Sequence, residues 1–255
     1  MNPLLDALLR IHVAAGFVGL VAFWVPVFAR KGGRAHVRAG LVYTWCAYVV
    51  TLSAVVLAAG RFAYQLSQGI GVAERPDLYG LPLFLGYLGV TTFAAVRQAI
   101  RAVATRRAPE TLRTPFHEVL AWASIAGSVA VIAFALGLWS SVSPILLGLS
   151  PIGLLTGSRM LRLMRKPGQE PMGWFYSHMA SMLAGGIAFH TAFAVFGAPR
   201  LWDYAIEGPF ALVPWLLPTA IGVPAIVIWT RKYRRKFNRG ARTRRPASGQ
   251  AVTRR

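Results

Sequence analysis

The basic residues of this chain are confined to alternate gaps between its hydrophobic runs, and this pattern constrains the fold more than any other feature. Of the 28 Lys and Arg residues, 24 lie in three such gaps and in the C-terminal tail. Basic loops stay on the cytoplasmic side when helices insert into a membrane. The alternation therefore predicts a multispan membrane protein with an odd number of spans, its N-terminus outside and its C-terminus cytoplasmic. The basic segments are 30–39, 97–116, 159–174 and 231–255.

Seven apolar segments are long enough to be membrane spans, which need about 20 mostly apolar residues each. They predict an all-α, multipass transmembrane bundle in which residues 1–230 form one domain. Residues 231–255 are rich in Arg, Gly, Pro and Ser, so we expect a disordered cytoplasmic tail along anionic lipid. The predicted spans are 8–28, 40–59, 81–100, 118–139, 142–158, 175–198 and 211–229.

Composition excludes other classes. The chain is 55% hydrophobic and only 14% charged, too few charges to cover the surface of a soluble domain of 255 residues. In a soluble protein, a net charge of +20 would indicate nucleic-acid binding. Here the positive charge is predicted to lie on one side of the membrane, where membrane topology and attraction to anionic lipid headgroups explain it. The lone Cys46 allows no internal disulfide. These features are typical of a compact bacterial inner-membrane protein.

Five histidines are the candidate functional residues, because titratable groups inside a bilayer are costly. The predicted topology sorts them into an outer tier, His12 and His190, and a cytoplasmic tier, His36, His117 and His178. We expect His12 and His190 to share an outer-side site. For the three cytoplasmic histidines a structural or interfacial role is the competing interpretation.

Two tiers of histidine on a helical bundle are typical of b-type haem, whose iron is held by imidazoles from two facing helices. Gly185 and Gly186 on the sixth span would make room for the macrocycle. The pattern resembles the membrane di-haem cytochrome b family in outline. His178 and His190 are twelve residues apart, about 120° of helical rotation, whereas that family's spacings put both ligands nearer one face. That departure weighs against the hypothesis.

A metal site is a second option, since His178 and Met182 are four residues apart and copper accepts imidazole and thioether ligands. Methionine in an apolar helix is more often a packing residue. The sequence contains none of the common hydrolase, protease or ATPase motifs, and it identifies no catalytic residue. Whether the chain is an enzyme stays open.

The first cytoplasmic loop reads Arg-Lys-Gly-Gly-Arg-Ala-His-Val-Arg from residue 30 to residue 38. Paired glycines allow a tight turn. Arg34 and Arg38 are then placed to bind an anionic lipid headgroup, although positive charge in this loop is also explained by topology alone.

This loop also carries a resemblance. The motif Lys-Gly-Gly-Arg-x-His resembles an uncharacterised family of bacterial multispan membrane proteins, known as a domain of unknown function. The other residues that carry the resemblance are His12, Gly16, Gly40 and the pattern His178-Met179-x-x-Met182. The resemblance covers roughly residues 8–197. It implies a helical inner-membrane protein and no particular activity.

Three functions remain open from the sequence. The leading hypothesis is a redox or cofactor-binding membrane protein with a histidine-lined site and haem b as the named cofactor. The alternatives are a small-molecule carrier or permease, with Pro218 and Pro224 lining a pathway, and a non-catalytic membrane or assembly factor. Spatial pairing of the histidines distinguishes the first of these from the others.

Overall fold

Helices account for all regular secondary structure in residues 3–202 and 208–243, the part of the chain that the computed structural model describes. Seven helical segments are long and apolar enough to cross a membrane, which confirms the architecture predicted from hydropathy. The fifth segment is two helices meeting at Ser150, and the sixth passes through a π-helical turn. The helices are α1 (Pro3–Phe28), α2 (Arg34–Ser67), α3 (Pro76–Ala104), α4 (Pro115–Gly137), α5 (Ser143–Leu149), α6 (Pro151–Arg165), α7 (Gly173–Ala192), the π turn (Phe193–Gly197), α8 (Ala198–Trp202) and α9 (Val213–Thr243).

Most helices extend beyond the predicted spans, and the C-terminal extensions of α2 and α9 are the longest. Helix α2 continues through Gly60 to Ser67 rather than ending near residue 59, because no proline interrupts it, and Gly69 with a φ of +72° follows its end. Helix α9 continues to Thr243, so residues 231–243, expected to be disordered, are helical. The remaining tail, residues 244–255, lies outside the described residues.

The basic loops come together at one end of the bundle. Arg234 in the polar extension of α9 pairs with Glu170 in the α6–α7 loop at 2.7 Å. Arg101 near the end of α3 donates to the carbonyl of Thr111 in the α3–α4 loop. We call this region the basic end: the loops 29–33, 105–114 and 166–172 and the polar extension 231–243 of α9.

Helix α3 is the most buried span and lies at the centre of the bundle. It packs against α2 and α7 on one side and against α4 and α6 on the other, while α1 packs against α2 and α7, and α9 against α7. Helices α1, α2, α3 and α7 thus form a four-helix group around one aromatic cluster. That cluster contains Phe23, Tyr43, Ala47, Val96 and Phe189.

The outer helices present apolar side chains away from the protein. Val21 and Trp45 on α1 and α2, and Ile221 and Ile228 on α9, are all exposed. A soluble protein rarely exposes so much contiguous apolar surface, whereas lipid tails cover it without cost. The exposed belt therefore agrees with a membrane-spanning bundle.

Close helix packing occurs where glycines leave room. Gly153 and Gly157 on α6 lie directly against the backbone of α4, with the carbonyl oxygens of Ser124 and Ala121 in the space that a side chain would need. The G-x-x-x-G pair is therefore used inside the monomer.

A buried tyrosine holds the break between α5 and α6. The hydroxyl of Tyr87 donates to the carbonyl of Ser150 (2.6 Å) and accepts from the amide of Gly153 (2.6 Å). The carbonyl of Ser150 also accepts from the hydroxyl of Ser128 and, at 3.3 Å, from the amide of Gly153, so several bonds satisfy the backbone at this helix break in an apolar interior.

Replacing Tyr87 by phenylalanine is expected to lower the free energy of unfolding by about 1 kcal/mol, because the buried amide of Gly153 loses the shorter of its two hydrogen bonds and keeps only the one to the carbonyl of Ser150. The melting temperature in detergent measures this loss. Tyr64→Phe is the matched control. Tyr64 is exposed, so the loss of its hydroxyl should change the melting temperature little. Equal melting temperatures for the two variants would show that the Tyr87 hydroxyl does not support the break.

Candidate two-histidine site

Two histidines from different helices meet at the basic end. His36 lies in the first turn of α2 and His178 in the second turn of α7. Their ring centroids are 6.3 Å apart and the ring planes are inclined at 60°. Both side chains are half-buried. The chain thus brings together residues separated by more than half of its length.

Each ring is oriented by a backbone carbonyl. The Nδ1 of His36 lies 3.2 Å from the carbonyl oxygen of Pro26, and the Nδ1 of His178 lies 3.1 Å from that of Ala99. A carbonyl oxygen can only accept, so both Nδ1 atoms carry the proton and donate. The neutral tautomer then leaves the lone pair on Nε2.

The end of α1 explains why one of these carbonyls is available. The last carbonyls of a helix have no partner within the helix. The Nζ of Lys31 donates to the carbonyls of both Pro26 and Val27 at 2.7 Å, and His36 shares the first of these. Partial burial lowers the pKa of Lys31 below its ordinary value. The Gly32–Gly33 turn allows this arrangement, since Gly32 has a φ of +76° that favours glycine.

The two Nε2 atoms are open. Among the residues described, neither atom makes a hydrogen bond. A histidine whose Nδ1–H is held by a carbonyl, with Nε2 free, is oriented as metal-binding histidines are. The Nε2 atoms are therefore the atoms of this pair that a metal would use.

A polar contact lies beside the pair. The side-chain amide of Gln98 donates to the hydroxyl of Ser177 at 3.3 Å, and both residues directly precede those that form the Ala99–His178 bond. Both side chains are buried. The link fixes α3 against α7 at the level of His178.

The predicted outer pair does not form. His12 bonds through Nδ1 to the hydroxyl of Ser53 on α2 at 2.8 Å. His190 donates from Nδ1 to the carbonyl of Gly186 (2.7 Å) and accepts at Nε2 from the indole of Trp24 (3.1 Å). Trp24 is twelve residues from His12 on α1, about 18 Å of helical rise. The two histidines therefore occupy different levels, and both ring nitrogens of His190 are already in use.

The glycines expected to admit a macrocycle near His190 are filled by aromatic side chains. The ring of Phe23 lies against Gly186, and the hydroxyl of Tyr43 lies against Gly185. Phe23 also contacts the rings of Tyr43 and His190. Glycine here permits close aromatic packing, and no slot for a flat ligand opens beside His190.

The remaining candidate residues lie apart from the pair. His117 is buried on α4, where its amide donates to the hydroxyl of the N-cap residue Thr114 at 3.2 Å. No described contact joins it to the pair. Met182, one turn beyond His178, packs against the aromatic cluster. Arg34 and Arg38 are exposed at the start of α2, and their predicted contact with lipid headgroups stays a prediction.

The described residues hold no group of three or more His, Cys, Asp or Glu side chains arranged around one point. A four-ligand structural zinc site is therefore absent from that part of the chain. The pair therefore has no third His, Cys, Asp or Glu beside it among the residues described.

These features define the class as a multipass α-helical membrane protein with a paired-histidine site at its basic end. Comparison with protein-family models, curated proteins and solved structures finds no match for this chain.

Proposed function

We propose that this chain is a bacterial inner-membrane protein that binds a transition-metal centre between His36 and His178. The observation that carries the proposal is the 6.3 Å separation of two rings whose Nδ1 atoms are both fixed by carbonyls. The Lys-Gly-Gly-Arg-x-His loop supplies one of these ligands. It also supports placing the chain in the uncharacterised bacterial family that this loop resembles.

The spacing suits one metal between two imidazoles. A metal–nitrogen bond is about 2 Å and a ring nitrogen lies about 1 Å from its centroid, so two imidazoles on opposite sides of one metal have centroids about 6 Å apart. The observed separation of 6.3 Å agrees with this value.

The number of protein ligands restricts the centre further. Two imidazoles, without a third His, Cys, Asp or Glu in the described residues, suit a metal whose other ligands come from a cofactor. A haem b iron or a Cu(I) ion would be such a metal, and His36 and His178 are the residues that would hold it. Either centre would supply electron transfer.

The absorption spectrum and metal content of the purified protein test the proposal. The protein is prepared in detergent from cells grown with added haem precursor, iron and copper, and spectra are recorded before and after dithionite. We expect either a Soret band with sharp reduced α and β bands, or about one copper ion per chain. A colourless protein free of both metals would contradict the proposal.

Orientation is a separate part of the proposal: the N-terminus lies outside and the basic end faces the cytoplasm. The support is the segregation of basic residues to one end of the bundle. In a Cys46→Ser background, we expect Glu74→Cys to react with a membrane-impermeant maleimide in intact spheroplasts. Arg107→Cys should react only after lysis.

These two positions form a matched pair, since each is a polar loop residue at one end of the bundle. If Arg107→Cys is labelled in intact spheroplasts and Glu74→Cys is not, the orientation is opposite to the one proposed. Denatured samples of both variants serve as the control for total reactive cysteine.

A further inference from the structure

A cavity of about 860 Å³ lies at the basic end, and its lining includes Ser177 but neither His36 nor His178. Its walls are the end of α3, the α3–α4 loop, the end of α6 and the α6–α7 loop, with the start of α7. Ligand sites in proteins have volumes of about 300–1,000 Å³, so the cavity is large enough for a small molecule or a headgroup.

The lining is strongly cationic. Four cationic residues and one acid, Glu170, belong to the lining. The carboxylate of Glu170 is paired with Arg234 at 2.7 Å. None of the four cations has an acidic partner among the described residues. The cavity therefore holds uncompensated positive charge that an anion would neutralise. The four cations are Arg106, Arg162, Arg165 and Lys166.

One wall is apolar. Leu112, Leu161 and Trp174 line the cavity beside the basic groups. Such a combination suits a molecule with an anionic head and an apolar portion. Indole rings such as that of Trp174 are also common at the level of lipid headgroups.

Helix α9 holds the cavity wall in place. Phe237 in its polar extension packs on Phe175 with ring centroids 5.4 Å apart, and Tyr233 packs on the same ring at 4.9 Å. Arg234 lies over the ring of Tyr176 at 5.3 Å while it pairs with Glu170. The polar extension thus packs on the start of α7 and is paired with one residue of the α6–α7 loop, beside the cavity.

We propose that this cavity binds a phosphate-bearing anion, with the headgroup of an acidic phospholipid as the favoured form. Arg162 on α6 and Arg106 in the α3–α4 loop bind the phosphate oxygens by charge-assisted hydrogen bonds. The apolar wall accommodates the glycerol and the first acyl carbons. This inference does not depend on metal binding at His36 and His178.

Thermal stabilisation of the purified full-length protein tests the site. The probes are short-chain dioctanoyl phosphatidylglycerol, dioctanoyl phosphatidylcholine and inorganic phosphate, each titrated in the same detergent. We expect the phosphatidylglycerol to raise the melting temperature, and the zwitterionic phosphatidylcholine to have a much smaller effect. Stabilisation by inorganic phosphate as well would identify the phosphate group alone as the ligand, and no stabilisation by it would identify the amphiphile.

Arg106→Gln and Arg162→Gln are each expected to raise the apparent dissociation constant about tenfold, the effect of one lost charge-assisted bond. Arg107→Gln is the matched control, because Arg107 adjoins Arg106 on the same loop but does not line the cavity. Arg162→Lys keeps the positive charge and should recover part of the affinity. Such recovery would show that the weaker binding of Arg162→Gln does not come from a folding defect. Equal loss in Arg107→Gln, or equal stabilisation by the two lipids, would overturn the proposal.

Discussion

Replacing Gly157 by alanine is expected to lower the free energy of unfolding by about 3 kcal/mol, the cost of overpacking a rigid contact. A Cβ at this position would meet the carbonyl oxygen of Ala121 on α4 and the side chain of Ile125, far closer than real Cβ atoms approach other atoms. Backbone cannot rotate aside as a side chain can, so α6 must move away from α4. Unfolding by SDS in detergent micelles measures the loss.

Gly148→Ala is the control for this variant. No atom lies within 4 Å of a Cβ built at Gly148, and alanine in a helix is favoured over glycine by about 0.5–1 kcal/mol. We therefore expect Gly148→Ala to be neutral or slightly stabilising. If both variants unfold at the same SDS fraction, the close approach of α6 to α4 is wrong.

The second large effect is expected at the histidine pair. Removing either ring, in His36→Ala or His178→Ala, should weaken metal or haem binding at least about 100-fold, because loss of a partner that merely orients a ligand already costs 10–100-fold. Titration of the metal-free protein with haem or Cu(I), followed by absorbance or by competition with a chelator, gives the affinities.

Two other histidines supply the controls for that titration. His12→Ala and His190→Ala remove half-buried intramembrane histidines that bond to Ser53 and to Trp24 instead of to each other. Both variants should keep the wild-type affinity within about threefold, well below the loss of a ligand. A large loss in His190→Ala with normal binding in His178→Ala would move the centre to the outer tier.

The fold was largely predictable because a bilayer restricts structure so strongly. Apolar length predicts the spans and the Arg and Lys pattern predicts one basic end, and the structure has both.

The ends of the helices were less predictable from the sequence. Hydropathy detects where a helix leaves the apolar region and cannot detect that α2 continues to Ser67 or α9 to Thr243. In α9, the aromatic residues Tyr233 and Phe237 were the missed signal, since they dock the polar extension on α7.

The site was only partly predictable. Topology placed His36 and His178 in one tier, and the structure puts their rings side by side. The predicted topology also placed His12 and His190 in one tier, but their rings do not meet in the structure. Side chains on a helix lean toward its N-terminus, and α1 and α7 run in opposite directions, so His190 meets Trp24 rather than His12. The carbonyls that orient the pair carry no signal in the sequence.

X-ray absorption at the metal edge of the wild-type protein tests the central claim most directly, because it counts the imidazoles bound to the metal. The account predicts a metal with two imidazole ligands at about 2.0 Å, whether the metal is haem iron or copper. That imidazole signal should fall by half in His178→Ala. A bound metal with no imidazole scattering, or with the same imidazole count in His36→Ala and His178→Ala as in wild type, would contradict it.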